Sequence, residues 1–91
     1  MARDIASTLA ERGERYGPFL PNATIAQQLK LAMRHTPRWA ELGDNQKEAL
    51  EQIASKISRI LSGDPHYDDN WRDIAGYAML VSNWLQPEVK A

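Results

Sequence analysis

Apolar residues recur every three or four positions through most of the chain, the repeat of an α-helix with one covered side, and no stretch alternates with period two for long enough to make a strand. Ile5 and Leu9, with Ala6, predict a short first helix over residues 3–12, interrupted at Gly13. The segment ERGERYGPFLPN that follows carries Gly13, Gly17, Pro18 and Pro21, so it reads as a structured loop held by Tyr16, Phe19 and Leu20. Asn22 or Thr24 then caps a second helix over 23–35, with Ile25, Leu29, Ala32 and Met33 as its stripe, which stops before Pro37. PRWAELG is a bend anchored by Trp39 and Leu42.

Asp44 or Asn45 caps a third helix over 45–62, with Leu50, Ile53, Ile57, Ile60 and Leu61 along one side and Gly63 as its stop. Asp68 or Asp69 caps a fourth over 69–85, ended by Pro87. The expected fold is all-α, one domain over 1–91: a long antiparallel hairpin of helices three and four with two shorter helices packed on it.

Between Lys56 and Tyr77 the pattern changes character. At about 100° per residue, Asp69, Asp73, Tyr77, Leu80 and Trp84 fall in one stripe of the fourth helix, flanked by Asn70, Ile74 and Val81. An acid on an apolar face needs a partner if it is buried. The candidates are Lys56 and Arg59 on the preceding helix, or a metal ion.

Composition narrows the class. The chain has 91 residues, 43% hydrophobic and 25% charged, with a net charge of −1, which gives no basic field for nonspecific nucleic-acid binding. Cysteine is absent, so disulfides and thiolate zinc sites are excluded. No signal-peptide run or membrane span is visible, and a cytoplasmic protein is expected. Three tryptophans in so short a chain either share one core or, as the preferred expectation, have part of their surface covered by a second subunit in a homo-oligomer.

Four polar groupings carry candidate chemistry. Glu48 and Glu51, three apart, can share Mg²⁺ with a second pair, Asn70 and Asp73, or lie solvated on the helix surface. Lys56 and Arg59 can hold phosphates or neutralise Asp69 and Asp73 across the hairpin. Arg12, Arg15 and Tyr16 in ERGERYG can grip a nucleotide by phosphate contact and stacking, or dock the loop. Asp64, His66, Asp68 and Asp69 can bind a transition metal or simply cap the turn. Ser55 and Ser58 have no neighbouring base for acyl transfer, and there is no P-loop.

ERGERYGPF (Glu11 to Phe19), KEALEQIASKISRILSGDP (Lys47 to Pro65) and DNWRDIAGYAMLV (Asp69 to Val81) together resemble a small protein family of bacteriophage and prophage genomes. That resemblance implies phage origin and action in the bacterial host's cytoplasm. More distantly, Glu48, Glu51 and Asp73, with Asn70 in place of a glutamate, resemble the E-x-x-E and E-x-x-D motifs of the all-α MazG-type nucleoside triphosphate pyrophosphatases. The MazG resemblance implies Mg²⁺ on Glu48, Glu51, Asp73 and Asn70 or Asp69, and hydrolysis to a monophosphate and pyrophosphate. Lys56, Arg59, Arg15, Tyr16 and Tyr77 would then meet the nucleotide. Two other functions fit the same residues: a non-catalytic oligomeric module acting on a host or phage protein, and a sponge for a nucleotide or second messenger.

Overall fold

The computed structural model describes residues 4–86, which form four α-helices and no strand. They are α1 (Ile5–Tyr16), α2 (Phe19–Arg34), α3 (Asp44–Ser62) and α4 (Asp68–Leu85), with a 3₁₀ turn over Trp39–Glu41. Asp4 starts α1 by accepting a 2.7 Å hydrogen bond from the Ser7 N–H, and that bond holds its carboxyl below the ordinary range. Residue 3 of the expected first helix and Pro87 lie outside the described residues.

The largest departure from expectation is the loop over 13–22. In the structure α1 runs through Gly13 to Tyr16, and α2 opens at Phe19, leaving Gly17 and Pro18 as the connection. Pro21 sits in the first turn of α2, where its missing N–H would have had no intrahelical partner. Asn22 and Thr24 are therefore inside α2 and do not cap it. Nor do Asp44 and Asn45 cap α3: its N-cap is Gly43, whose N–H donates to Gln46 Oε1 at 2.8 Å. Tyr67, one residue before the expected acids, is the N-cap of α4.

α3 is the central helix. α2 packs on one side of it, α4 on the other, and α1 lies against both α2 and α3. Two contacts fix the sides: Arg34 reaches Glu51 from α2, and Asp73 of α4 pairs with Lys56 at 2.9 Å. The hairpin of α3 and α4 is present as expected, and Asp73 does point to its neighbour.

The helices bury different residues from those the periodicity predicts. The buried apolar residues are Ala26, Ala49 and Ala54, joined by Ser58 and Asn70. Small side chains let the helix backbones approach closely, whereas Leu50 and Leu61 of the expected inward stripe are 39% and 66% exposed. Ile5, Leu9, Phe19 and Leu20 are also exposed. On α4, the residues turned to α3 are Asn70, Ile74, Tyr77 and Val81, so Leu80 and Trp84 stand on an open flank. None of the described helices is long and apolar enough to cross a membrane.

Candidate functional site

The C-terminal end of α1 and the C-terminal end of α3 touch backbone to backbone. Gly17 adopts φ +85°, a left-handed conformation, and a Cβ there would overlap the Ser62 carbonyl. A Cβ on Gly63 would overlap the Arg15 carbonyl oxygen and the Tyr16 carbonyl carbon. The Asp64 N–H donates to that Arg15 oxygen at 3.0 Å, tying the turn after α3 to the end of α1. Asn22 adds a second tie: its Nδ2 donates to the Tyr16 carbonyl at 3.3 Å, and its Oδ1 faces the buried Ser58 hydroxyl. The single hydroxyl proton of Ser58 is shared between Asn22 Oδ1 and the Ser55 carbonyl.

This crossing gathers side chains from α1, α2 and α3 and from the start of α4. The Arg59 guanidinium of α3 lies 4.6 Å from the Tyr16 ring centroid, and that of Arg12 lies 5.0 Å from the same ring. Next to them Arg15 stacks on Tyr67, 4.8 Å from its centroid, while its Nη1 donates to the Tyr67 hydroxyl at 2.7 Å. Tyr67 passes the chain on by donating to Asp69 Oδ2 at 2.9 Å. The two tyrosine rings meet edge to face, with centroids 6.1 Å apart. A cleft of about 370 Å³ opens beside them, lined by Leu9, Arg12, Tyr16, Phe19, Asn22 and Arg59 together with Gly13, Gly17 and Pro18.

The cations of this cluster differ in what they have left to offer. Arg15 is engaged by Tyr67 and by Glu11 at 3.3 Å. Among the described residues neither Arg12 nor Arg59 has a carboxylate partner. Both guanidinia therefore keep their N–H donors for an anion, and Phe19, 84% exposed at the cleft edge, offers a flat apolar surface beside them.

The hydrogen bond to Asp69 pushes the Tyr67 phenol above its ordinary value, and the bond that Arg15 donates to the Tyr67 hydroxyl pushes the Arg15 guanidinium up. Because the folded-state value of Tyr67 is raised, its contribution to stability is complete below the unfolded value of about 10 and is lost as pH rises through the folded value. Absorbance titration at 295 nm is expected to show a late ionisation step, above the ordinary phenol range, that belongs to Tyr67. Tyr67→Phe should remove that late step.

The acidic constellation is distributed differently from the sequence expectation. Glu51 is turned to α2, where Arg34 donates to its Oε2 through Nε at 3.1 Å and Nη2 at 2.9 Å. Glu48 accepts from Gln52 at 2.9 Å and borders a shallow hollow with Tyr77 and Leu80. Asp73 is held by Lys56, Asp69 by Tyr67, and Asn70 is 1% exposed. The reason is axial register. Lys56 is level with Asp73 in the antiparallel hairpin, so Glu48, eight residues earlier, lies about 12 Å up the helix at 1.5 Å per residue. Among the described residues no three acids or histidines gather as a metal site. Glu48, Glu51 and Asp73 of the MazG resemblance are thus paired with Gln52, Arg34 and Lys56 at different levels of the hairpin. His66 takes the turn role: its N–H donates to Asp64 Oδ1 at 2.9 Å.

Of the expected ligand residues, Arg15, Tyr16 and Arg59 are brought together, while Lys56 and Tyr77 lie along the hairpin away from them. Spacing alone does not mark Asn22, Phe19 and Tyr67 as ligand residues; the signal for them is the pair Gly17 and Gly63, which brings distant segments into register. No protein-family model, curated relative or solved structure matches the chain.

Proposed function

We propose that the protein binds a nucleotide in the cleft at the α1–α3 crossing and releases it unchanged. The observation that carries this reading is the pair of guanidinia, Arg12 and Arg59, placed over one tyrosine ring without carboxylate partners. Their N–H forks match phosphate oxygens bidentately. A base stacked on Phe19 adds about 1–3 kcal/mol. Retention without turnover is supported by the engagement of Glu48, Glu51 and Asp73 with Gln52, Arg34 and Lys56.

Equilibrium dialysis against nucleoside mono-, di- and triphosphates and cyclic dinucleotides, with Mg²⁺ present, tests both halves. The expected outcome is retention of at least one class and its recovery intact by chromatography. Retention of none removes the binding claim. Release of pyrophosphate that stops on Glu51→Gln would instead establish the pyrophosphohydrolase reading.

A further inference from the structure

The described fold is a slab with two unlike flanks. On α3, Ser58 and Glu51 face α2 while Lys56 faces α4, so at about 100° per residue Leu50, Ile57 and Leu61 occupy one edge, with Leu50 and Leu61 exposed, and Glu48, Gln52 and Arg59 the other. A groove joining Leu50 and Gln46 to Ala78 shows which flank of α4 continues the first edge, and Trp71 and Leu85 fall on that same flank. The opposite flank carries Leu80 beside Glu48.

The shape leaves too much surface uncovered for a domain of this mass. The accessible area is 6660 Å², against about 5,400 Å² for a folded monomer of this mass. The radius of gyration is 15.8 Å, where a compact 91-residue domain has about 12 Å. The excess, about 1,300 Å², exceeds the roughly 800 Å² that each partner contributes to a stable interface. Among the described residues the buried apolar side chains are three alanines, which leaves the large ones to find cover elsewhere.

We infer that a second copy of this chain covers the flank formed by Leu50, Ile57 and Leu61 of α3 and Trp71, Ala78 and Leu85 of α4. Those six side chains include no charge, so the face can meet itself about a twofold axis without opposing like charges. The other flank, with Glu48, Arg72 and Asp73, does not have that property. The ligand cleft involves Arg59, on the far edge of α3, and stays open in such a pair.

Sedimentation equilibrium of the full chain is expected to give twice the 10.3 kDa chain mass, and a monomer at all concentrations up to about 100 μM would overturn the inference. Leu50→Glu with Leu61→Glu should convert the dimer to monomer, while Gln27→Glu, at an exposed position of α2 away from this flank, leaves it intact. Because the chain has no cysteine, Leu61→Cys supplies a single thiol that reads the face directly even where the glutamate variant fails to fold. Slow maleimide labelling in the dimer and at least tenfold faster labelling on dilution is the expected result. Fast labelling in protein that sediments as a dimer would place the interface elsewhere.

Discussion

Replacing Gly63 or Gly17 with alanine is expected to lower the melting temperature by about 15 °C or more, corresponding to a loss of roughly 3 kcal/mol at 4–8 °C per kcal/mol. The cause is steric and local. The added methyl group at Gly63 meets backbone atoms of Arg15 and Tyr16, which cannot rotate aside as a flexible side chain would. At Gly17 the same overlap, against Ser62, comes on top of about 1–3 kcal/mol for holding a residue with a side chain at φ +85° and ψ 175°, a region open essentially to glycine alone. Gly76 provides the contrast, because it lies within α4 and a methyl group added there would meet nothing within 4 Å. Gly76→Ala should raise stability by about 0.5–1 kcal/mol through reduced unfolded-state freedom and better helix propensity. Thermal denaturation by circular dichroism measures all three. A Gly63→Ala protein as stable as the parent would mean that the two helix ends do not cross as described.

The second large effect concerns affinity. Arg12→Ala and Arg59→Ala should each weaken nucleotide binding about tenfold or more, since a hydrogen bond to a charged group is worth about 1.5–3 kcal/mol and 1.4 kcal/mol is a factor of ten. The double variant should lose about 100-fold or more, with some coupling because both cations share the Tyr16 ring. Arg59→Lys should recover part of the loss, because charge returns without the planar fork. Stability should barely move in these variants, a cation–π contact at an exposed site being worth about 0.5–1 kcal/mol. Calorimetric titration separates the two effects. Equal affinity in parent and double variant would place the ligand elsewhere on the molecule.

Much of the fold is legible in the sequence where long periodic segments carry their own punctuation. The turn between α3 and α4 falls within a residue of expectation because Gly63 marks the end of one helix and Asp68 and Asp69 the start of the next. The segment over 13–22 misleads because glycine and proline are breakers only in a helix interior. Gly13 is tolerated there at a cost of about 1 kcal/mol, and Pro18 and Pro21 stand at and just inside a helix start. Periodicity also identifies an apolar face without saying what covers it. Leu50, Ile57 and Leu61 form a true stripe, yet within the chain the packing is made by Ala49, Ala54 and Ser58.

The site is legible only in part for a related reason. Spacing of three residues places Glu48 with Glu51, and Asn70 with Asp73, on common faces of their own helices. It contains no information about how far along the hairpin the two pairs sit, and the Lys56–Asp73 contact fixes that. In contrast, ERGERYG marks Arg15 and Tyr16 as a cluster by its composition, because two guanidinia and an aromatic ring beside glycines have few structural uses. Joining Arg59 and Tyr67 to them required the backbone crossing, which depends on two glycines 46 positions apart.

The most direct measurement is a two-dimensional ¹⁵N NMR titration of the full chain with the nucleotide class retained in dialysis, observing backbone amides and arginine Nε–H groups. Shifts confined to Arg12, Gly13, Tyr16, Gly17, Phe19 and Arg59 are the predicted result. Shifts centred on Glu48, Tyr77 and Leu80, with the arginine Nε–H signals unmoved, would contradict it.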